Sequence, residues 1–283
     1  MPVTRTIGEI TLTALEDGAG RFFQPREQAF PEATAADWAR ADARDPAAVD
    51  AAGQWLLRFR CFAIRLGDGR TTLVDAGIGP ADSPAAGWAP VPGHLPEELA
   101  AAGIDPSDVT SVVLTHLHTD HVGWAVTGSP LRPYFPHARY LLQQAEHDAI
   151  DTLNPALRER LIDPLRATDQ LSLVDGDARL AGPLRAVATP GHTPGHQSVL
   201  LDGPEPVLVT GDLLVHALQL VAPHLPYAIE ADPDAARRSR TGWLAELAAR
   251  GGTLATAHLG EPFSSPVSSP SGPAAARPRR APR

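Results

Sequence analysis

The sequence predicts a mixed α/β chain, and two observations carry that prediction. Short apolar runs alternate with stretches of helical spacing, and residues able to ligate metal fall where several of those runs end. With 43% hydrophobic residues in 283, the chain can bury a full core.

Taken in order, residues 7–15 alternate polar and apolar and read as a first strand. Residues 16–54 turn Ala-, Asp- and Pro-rich with weak periodicity, which predicts a long loop with short helices. An ordered loop of this length serves as a lid or a dimerisation surface, so a homodimer is one expectation. Residues 55–66 and 71–74 flank Gly67-Asp68-Gly69-Arg70, a hairpin signal. Residues 95–102 have helical spacing, and 111–115 form a short apolar strand ending at His116. A strand over 138–142 leads into a helix from Gln143, and 151–168 is helical but broken by Pro155 and Pro164, placed over the site mouth. Strands at 184–188 and 198–201 bracket TPGHTPGH, and 207–210 ends at Gly211-Asp212. Residues 233–250 form an amphipathic helix, followed by a last strand at 253–257 ending at His258. One catalytic domain over residues 1–263 is expected. From Ser264 the sequence holds Ser, Pro, Ala and Arg with almost nothing to bury, so 264–283 is expected to be a disordered tail.

Charge and cysteine content narrow the function classes. The chain carries 24 basic residues, all Arg, against 33 acidic ones, a net charge of −9. Without a basic stripe it is a poor candidate for gripping nucleic acid. The single cysteine, Cys61, excludes an intrachain disulfide. The N-terminus lacks the apolar core of a signal peptide, and no run approaches the ~20 apolar residues needed to span a bilayer. A cytoplasmic protein with a small-molecule substrate and no membrane partner is expected.

The densest signal is His116-Leu117-His118-Thr119-Asp120-His121, three imidazoles and a carboxylate in six residues. A strand end continuing into a turn and a helix can aim such residues at two nearby points. Imidazole and carboxylate are donors that zinc accepts, and Mn, Fe or Co tolerate them. A lone histidine is more often a core or surface residue than a ligand, but four ligand-type residues at this density are hard to explain that way.

This H-x-H-x-D-H pattern resembles the signature of the metallo-β-lactamase superfamily, and the resemblance extends over about residues 7–262. The segment Thr189-Pro190-Gly191-His192-Thr193-Pro194-Gly195-His196 is similar to the one carrying the next ligand. Gly211-Asp212 resembles the bridging aspartate position, and His258 in Ala257-His258-Leu259-Gly260 the final histidine. The resemblance implies a four-layer αβ/βα sandwich, two mixed β-sheets flanked by helices with two metals at one edge. It implies that His116, His118 and His192 hold one ion, that Asp120, His121 and His258 hold the other, and that Asp212 bridges them. Asp75 matches a position that supports a ligand histidine through a hydrogen bond. His196, His216 and Tyr227 are further candidates for polar contacts with the ligands or with substrate. Two divalent ions about 3.5–4 Å apart can share a water and lower its pKa toward ~7. The bridging hydroxide would attack a carbonyl or phosphoryl centre, with Asp120 as the catalytic residue that orients the water or returns a proton.

Residue choice then prunes the superfamily. Asp212 stands where one group of zinc β-lactamases has cysteine, and His118 stands where di-iron relatives have glutamate. Nuclease relatives need a basic surface that this chain lacks. The stretch from Gly211 to Gln219, with His121-Val122-Gly123-Trp124 and Tyr134-Phe135-Pro136-His137-Ala138, resembles the methyl parathion hydrolase and acyl-homoserine lactonase neighbourhood. Phe22, Phe23 and Phe30 could form a wall for an acyl chain. The resemblance implies a dinuclear hydrolase of lactones or related esters, with zinc as the expected metal. A thioesterase similar to glyoxalase II, a phosphotriesterase and a non-catalytic metal-binding module are the alternatives.

Overall fold

A strand's side chains alternate between its two faces, and in this chain that alternation sorts the core into layers. The computed structural model describes residues 2–266. Strands Val3–Ile7 (β1) and Ile10–Arg21 (β2) form a hairpin, followed by helices Arg26–Ala29 (α1) and Ala35–Arg44 (α2). Strands Leu56–Arg65 (β3) and Thr71–Val74 (β4), helix Leu95–Ala101 (α3) and strand Val109–Val113 (β5) come next. A short pair, Val126–Thr127 (β6) and Arg132–Pro133 (β7), precedes Arg139–Gln143 (β8). Helices Gln144–Asp148 (α4), Ile150–Leu153 (α5) and Asp163–Ala167 (α6) lead to strands Leu171–Val174 (β9), Ala178–Arg179 (β10), Leu184–Ala188 (β11), Gln197–Leu201 (β12) and Val207–Val209 (β13). Helices Leu218–Val221 (α7) and Pro233–Ala249 (α8), then strands Thr253–Ala255 (β14) and Phe263–Ser264 (β15), complete it.

The first sheet has the order β1-β2-β3-β4-β5-β8-β9, antiparallel up to β4 and parallel beyond it. The second runs from β10 to β15 in sequence order, antiparallel except where β13 meets β14. Phe62, Ile64, Val74 and Val113 point inward and meet Val199, Leu201, Val207 and Val209 of the facing sheet. Their neighbours Cys61, Ala63, Leu73 and Val112 point outward and pack with Leu95 and Leu99 of α3. On the far side Leu200, Leu208 and Leu254 pack with Leu244 and Leu247 of α8. Helix, sheet, sheet and helix thus stack as the expected four layers, and strands covered on both faces read as unbroken apolar runs.

Several local expectations differ. Residues 7–15 are not one strand, because Gly8, at φ 59, turns the chain between β1 and β2. β2 then continues to Arg21, into the stretch read as loop. Along it Glu16 pairs with Arg60 and Gly18 with Phe59, so Asp17 is the extra residue of a bulge. Its buried carboxylate accepts hydrogen bonds from the N–H groups of Ile78 (2.6 Å), Gly79 (3.3 Å) and Leu95 (2.6 Å) and from Trp124 Nε1 (3.0 Å). No helix follows His116 to His121; residues 119–124 form turns. Ser264, expected to open the tail, pairs with Leu254 in β15. The rest of that expected tail, from 267 on, lies outside the described residues.

Candidate metal centre

Four segments that follow strands bring the donors together. β5 ends at Val113, and the turn beyond it delivers His116, His118, Asp120 and His121. The 189–196 turn between β11 and β12 delivers His192, and the segment after β13 delivers Asp212. The segment after β14 delivers His258. Gly191, at φ 134, lies so close to α8 that a Cβ there would fall on the backbone of Ala236. Glu146, buried on α4, ties two of these segments together: it accepts from Leu117 N–H and from Gly195 N–H, both at 2.9 Å.

The side chains form two groups, His116, His118, His192 and Asp212 in one and Asp120, His121 and His258 in the other, with the donor atoms of each within 4.8 Å of one another. Asp212 faces both. Its Oδ2 lies 3.1 Å from His192 Nε2 and 3.7 Å from His116 Nε2, and its Oδ1 lies 3.2 Å from His121 Nε2 and 2.9 Å from His258 Nε2.

The donor chemistry fits metal ions. His121 Nδ1 donates to Asp75 Oδ2 at 2.8 Å, and His258 Nδ1 donates to the Arg58 carbonyl at 2.7 Å. In the neutral ring the other nitrogen is then a bare acceptor, yet the two Nε2 atoms face each other at 3.3 Å. His116 Nε2 and Asp212 Oδ1 are buried without a hydrogen-bond partner. Acceptors converging this way call for positive charge at their centre. The titration tendencies show the same demand. Burial opposes charge on His121, but Asp212, Asp120 and Asp75 overcome it and hold the ring well above its usual range. His258 is raised against burial by Asp212 and Asp120. His118, dominated by burial and the neighbouring His192, is pushed down to about 3. Divalent ions satisfy such a set, with Asp75 and the Arg58 carbonyl fixing the rings.

The other expected residues separate. Asp75 sits behind the site and also accepts from Thr115 N–H (2.8 Å) and Thr115 Oγ1 (2.9 Å). His196 lies behind Asp212 and is closed to substrate: its Nε2 accepts from Asp212 N–H at 2.9 Å, and its Nδ1 meets the Thr189 hydroxyl at 2.8 Å. His216 points away, packed among Phe30, Trp38 and Trp55 with Nδ1 accepting from Leu218 N–H. Tyr227 does face the site, its ring parallel to that of His192 at 6.1 Å.

Above the donors opens a cavity of about 170 Å³. His118, Thr119, Asp120, His192, Asp212 and His258 form its floor, and Phe22, Phe23, Trp55, Leu57, Trp88 and Tyr227 line its sides, with Asn154, Val215 and Ile229 completing it. Asn154 follows α5, within the region expected at the mouth. Trp88, Thr119 and Ile229 were not foreseen, since each lies in a loop without periodicity; of them only Thr119, inside the histidine motif, carried a positional signal.

Fold and donor set together define a metallo-β-lactamase-type protein, and the chain belongs to the metallo-beta-lactamase superfamily, whose family model matches residues 60–258. Among curated relatives, an N-acyl homoserine lactonase from a Bacillus species is 31% identical over 118 residues, 40% of this chain and 42% of that protein. The N-acyl homoserine lactonase AttM of Agrobacterium fabrum is 35% identical over 132 residues, 41% of this chain and 45% of that one. The matched region thus spans less than half the length of these relatives. Among solved structures, the hydrolase AbOPH superposes with a TM-score of 0.76 at 24% identity, covering 92% of this chain and 91% of that one. AidC, a dizinc quorum-quenching lactonase, superposes with a TM-score of 0.75 at 22% identity, covering 95% of both. At these identities the superpositions establish the fold.

Proposed function

We propose that this chain is a dinuclear metal-dependent hydrolase that opens a lactone or cleaves a related ester. The observation that carries the reading is the pair of donor groups sharing Asp212 beneath an apolar cavity. His116, His118 and His192 would hold one ion, Asp120, His121 and His258 the other, with Asp212 between. Zinc is the ion proposed, supported by the donor set and by the dizinc relative AidC. Such ions, when bound, supply Lewis acidity and lower the pKa of water.

The chain's own groups do the rest. Asp120 lines the cavity floor, where it can take a proton from the attacking water and return it to the leaving alkoxide oxygen. Water thereby adds across the acyl C–O bond, leaving a carboxylic acid and a hydroxyl. Asp75 holds the His121 ring, and His196 holds the backbone N–H of Asp212. Tyr227 is the proposed polar contact to substrate. Of the 16–54 segment, the part beyond β2 is proposed as the lid, because Phe22 and Phe23 line the cavity; the segment's other proposed role is a homodimer surface. The curated lactonase relatives support the lactone as substrate class. Among the described residues no helix is long and apolar enough to cross a membrane. A cytoplasmic protein acting on small molecules, without nucleic acid or membrane partners, is the proposed setting. The test is a panel of a γ-lactone, an aryl ester, a thioester and a phosphotriester offered to metal-loaded protein and to Asp212→Ala. Lactone or ester turnover lost in the variant supports the reading. Preferred turnover of the thioester or phosphotriester, or of no member, overturns it.

A further inference from the structure

We infer that the cavity selects a neutral ester or lactone whose non-reacting end is a single aromatic ring. The inference rests on the hydrolase reading above and names its substrate class. Size comes first: the cavity of about 170 Å³ must also seat the reacting group on its donor floor, so the space beside the aromatic wall suits a compact non-reacting end. The second observation is the wall itself. Phe22 meets Trp55 at 4.6 Å and Trp88 at 6.0 Å, and Phe23 meets Trp88 at 5.8 Å, the last two edge to face. A further ring entering at 4.5–7 Å extends this pattern and gains its electrostatic preference, which a saturated group of equal size does not.

The wall is also tied to the donors. Trp88 Nε1 donates to Thr119 Oγ1 at 2.9 Å, so its ring is fixed to the same turn as His118 and Asp120. At the mouth Phe23 is 64% exposed, an apolar surface that a ligand ring would cover. Among the described residues no arginine lines the cavity, and the chain has no lysine. An anionic group at the far end of the substrate would therefore meet the aromatic wall with no arginine or lysine beside it.

The test uses three γ-lactones that differ only in a phenyl, cyclohexyl or n-hexyl group, carried on an ethyl spacer that insulates the reacting carbonyl. With metal-loaded protein the phenyl compound is expected to exceed the cyclohexyl one in kcat/KM by about 2- to 12-fold, the range of an aromatic pair beyond area burial. Phe23→Leu, at an exposed position, is expected to shrink that ratio toward one. Equal or better turnover of the cyclohexyl or hexyl compound overturns the inference and leaves the hydrolase standing. No turnover of any of the three overturns the inference, while the aryl ester of the earlier panel still tests the hydrolase reading separately.

Discussion

Arg240→Met tests how the cavity wall is held. Arg240 is fully buried on α8, and its guanidinium makes three hydrogen bonds: Nη1 to Glu230 Oε1 at 2.6 Å, Nε to the Pro223 carbonyl and Nη2 to the Leu225 carbonyl, both at 3.0 Å. Glu230 in turn accepts from Tyr227 N–H at 3.1 Å. The pair therefore pins the 222–231 segment that carries Tyr227 and Ile229 into the cavity. Methionine fills much of the same volume but leaves the Glu230 carboxylate buried without its partner. Breaking a buried pair in this way costs about 3–5 kcal/mol. At roughly 2–4 °C per kcal/mol for a domain of this size, Tm should fall by about 6–20 °C. Replacing both partners, Arg240→Met with Glu230→Leu, removes the stranded charge and should recover much of that loss. The assay is thermal and urea unfolding of the three proteins, with KM for the panel lactone measured well below each Tm. Tyr227 released from its anchor should raise KM. A single variant within 1 kcal/mol of the parent, or a double variant no better than the single, would refute the argument.

Asp75→Ala should weaken metal binding by about 10- to 100-fold in chelator competition, because His121 loses the carboxylate that orients it; unchanged affinity would contradict that role. Gly191→Ala should lower Tm sharply, since the new Cβ lands on α8; a Tm equal to the parent's would mean the turn adjusts freely. Burial pushes His216 down to about 3, so the folded protein keeps it neutral while the unfolded chain takes up a proton below about 6.5. Its contribution is present above pH 6.5 and lost as pH falls toward 3, and His216→Phe should lose less stability between pH 7 and 4 than the parent. Parallel stability profiles would remove His216 from the acid response.

What the sequence shows and hides follows from the physics of each feature. The donors of the histidine motif are visible because one short turn must supply several ligands, which leaves a dense pattern; His192, Asp212 and His258 are visible through their resemblance to family segments. The order of the strands is not visible: Val207–Val209 or Thr71–Val74, buried on both faces, gives no alternation to read. Asp17 and Glu146 anchor loops by accepting backbone N–H groups, and such an acceptor imposes no spacing on the residues it holds. His216, four residues past Asp212, looks close to the site in sequence. The turn at 211–213 and α7 instead carry it into the aromatic cluster of Phe30, Trp38 and Trp55. The cavity draws its walls from residues 22–23, 55–57, 88 and 215–229, which only the fold brings together.

The most direct measurement is a titration of chelator-treated protein with Zn²⁺, following bound metal per chain and lactone hydrolysis in the same samples. The account predicts two ions bound per chain and turnover that rises as the second binds, with both lost in Asp212→Ala. Full lactone turnover by metal-free protein, or two bound ions with no ester or lactone hydrolysed, would contradict it.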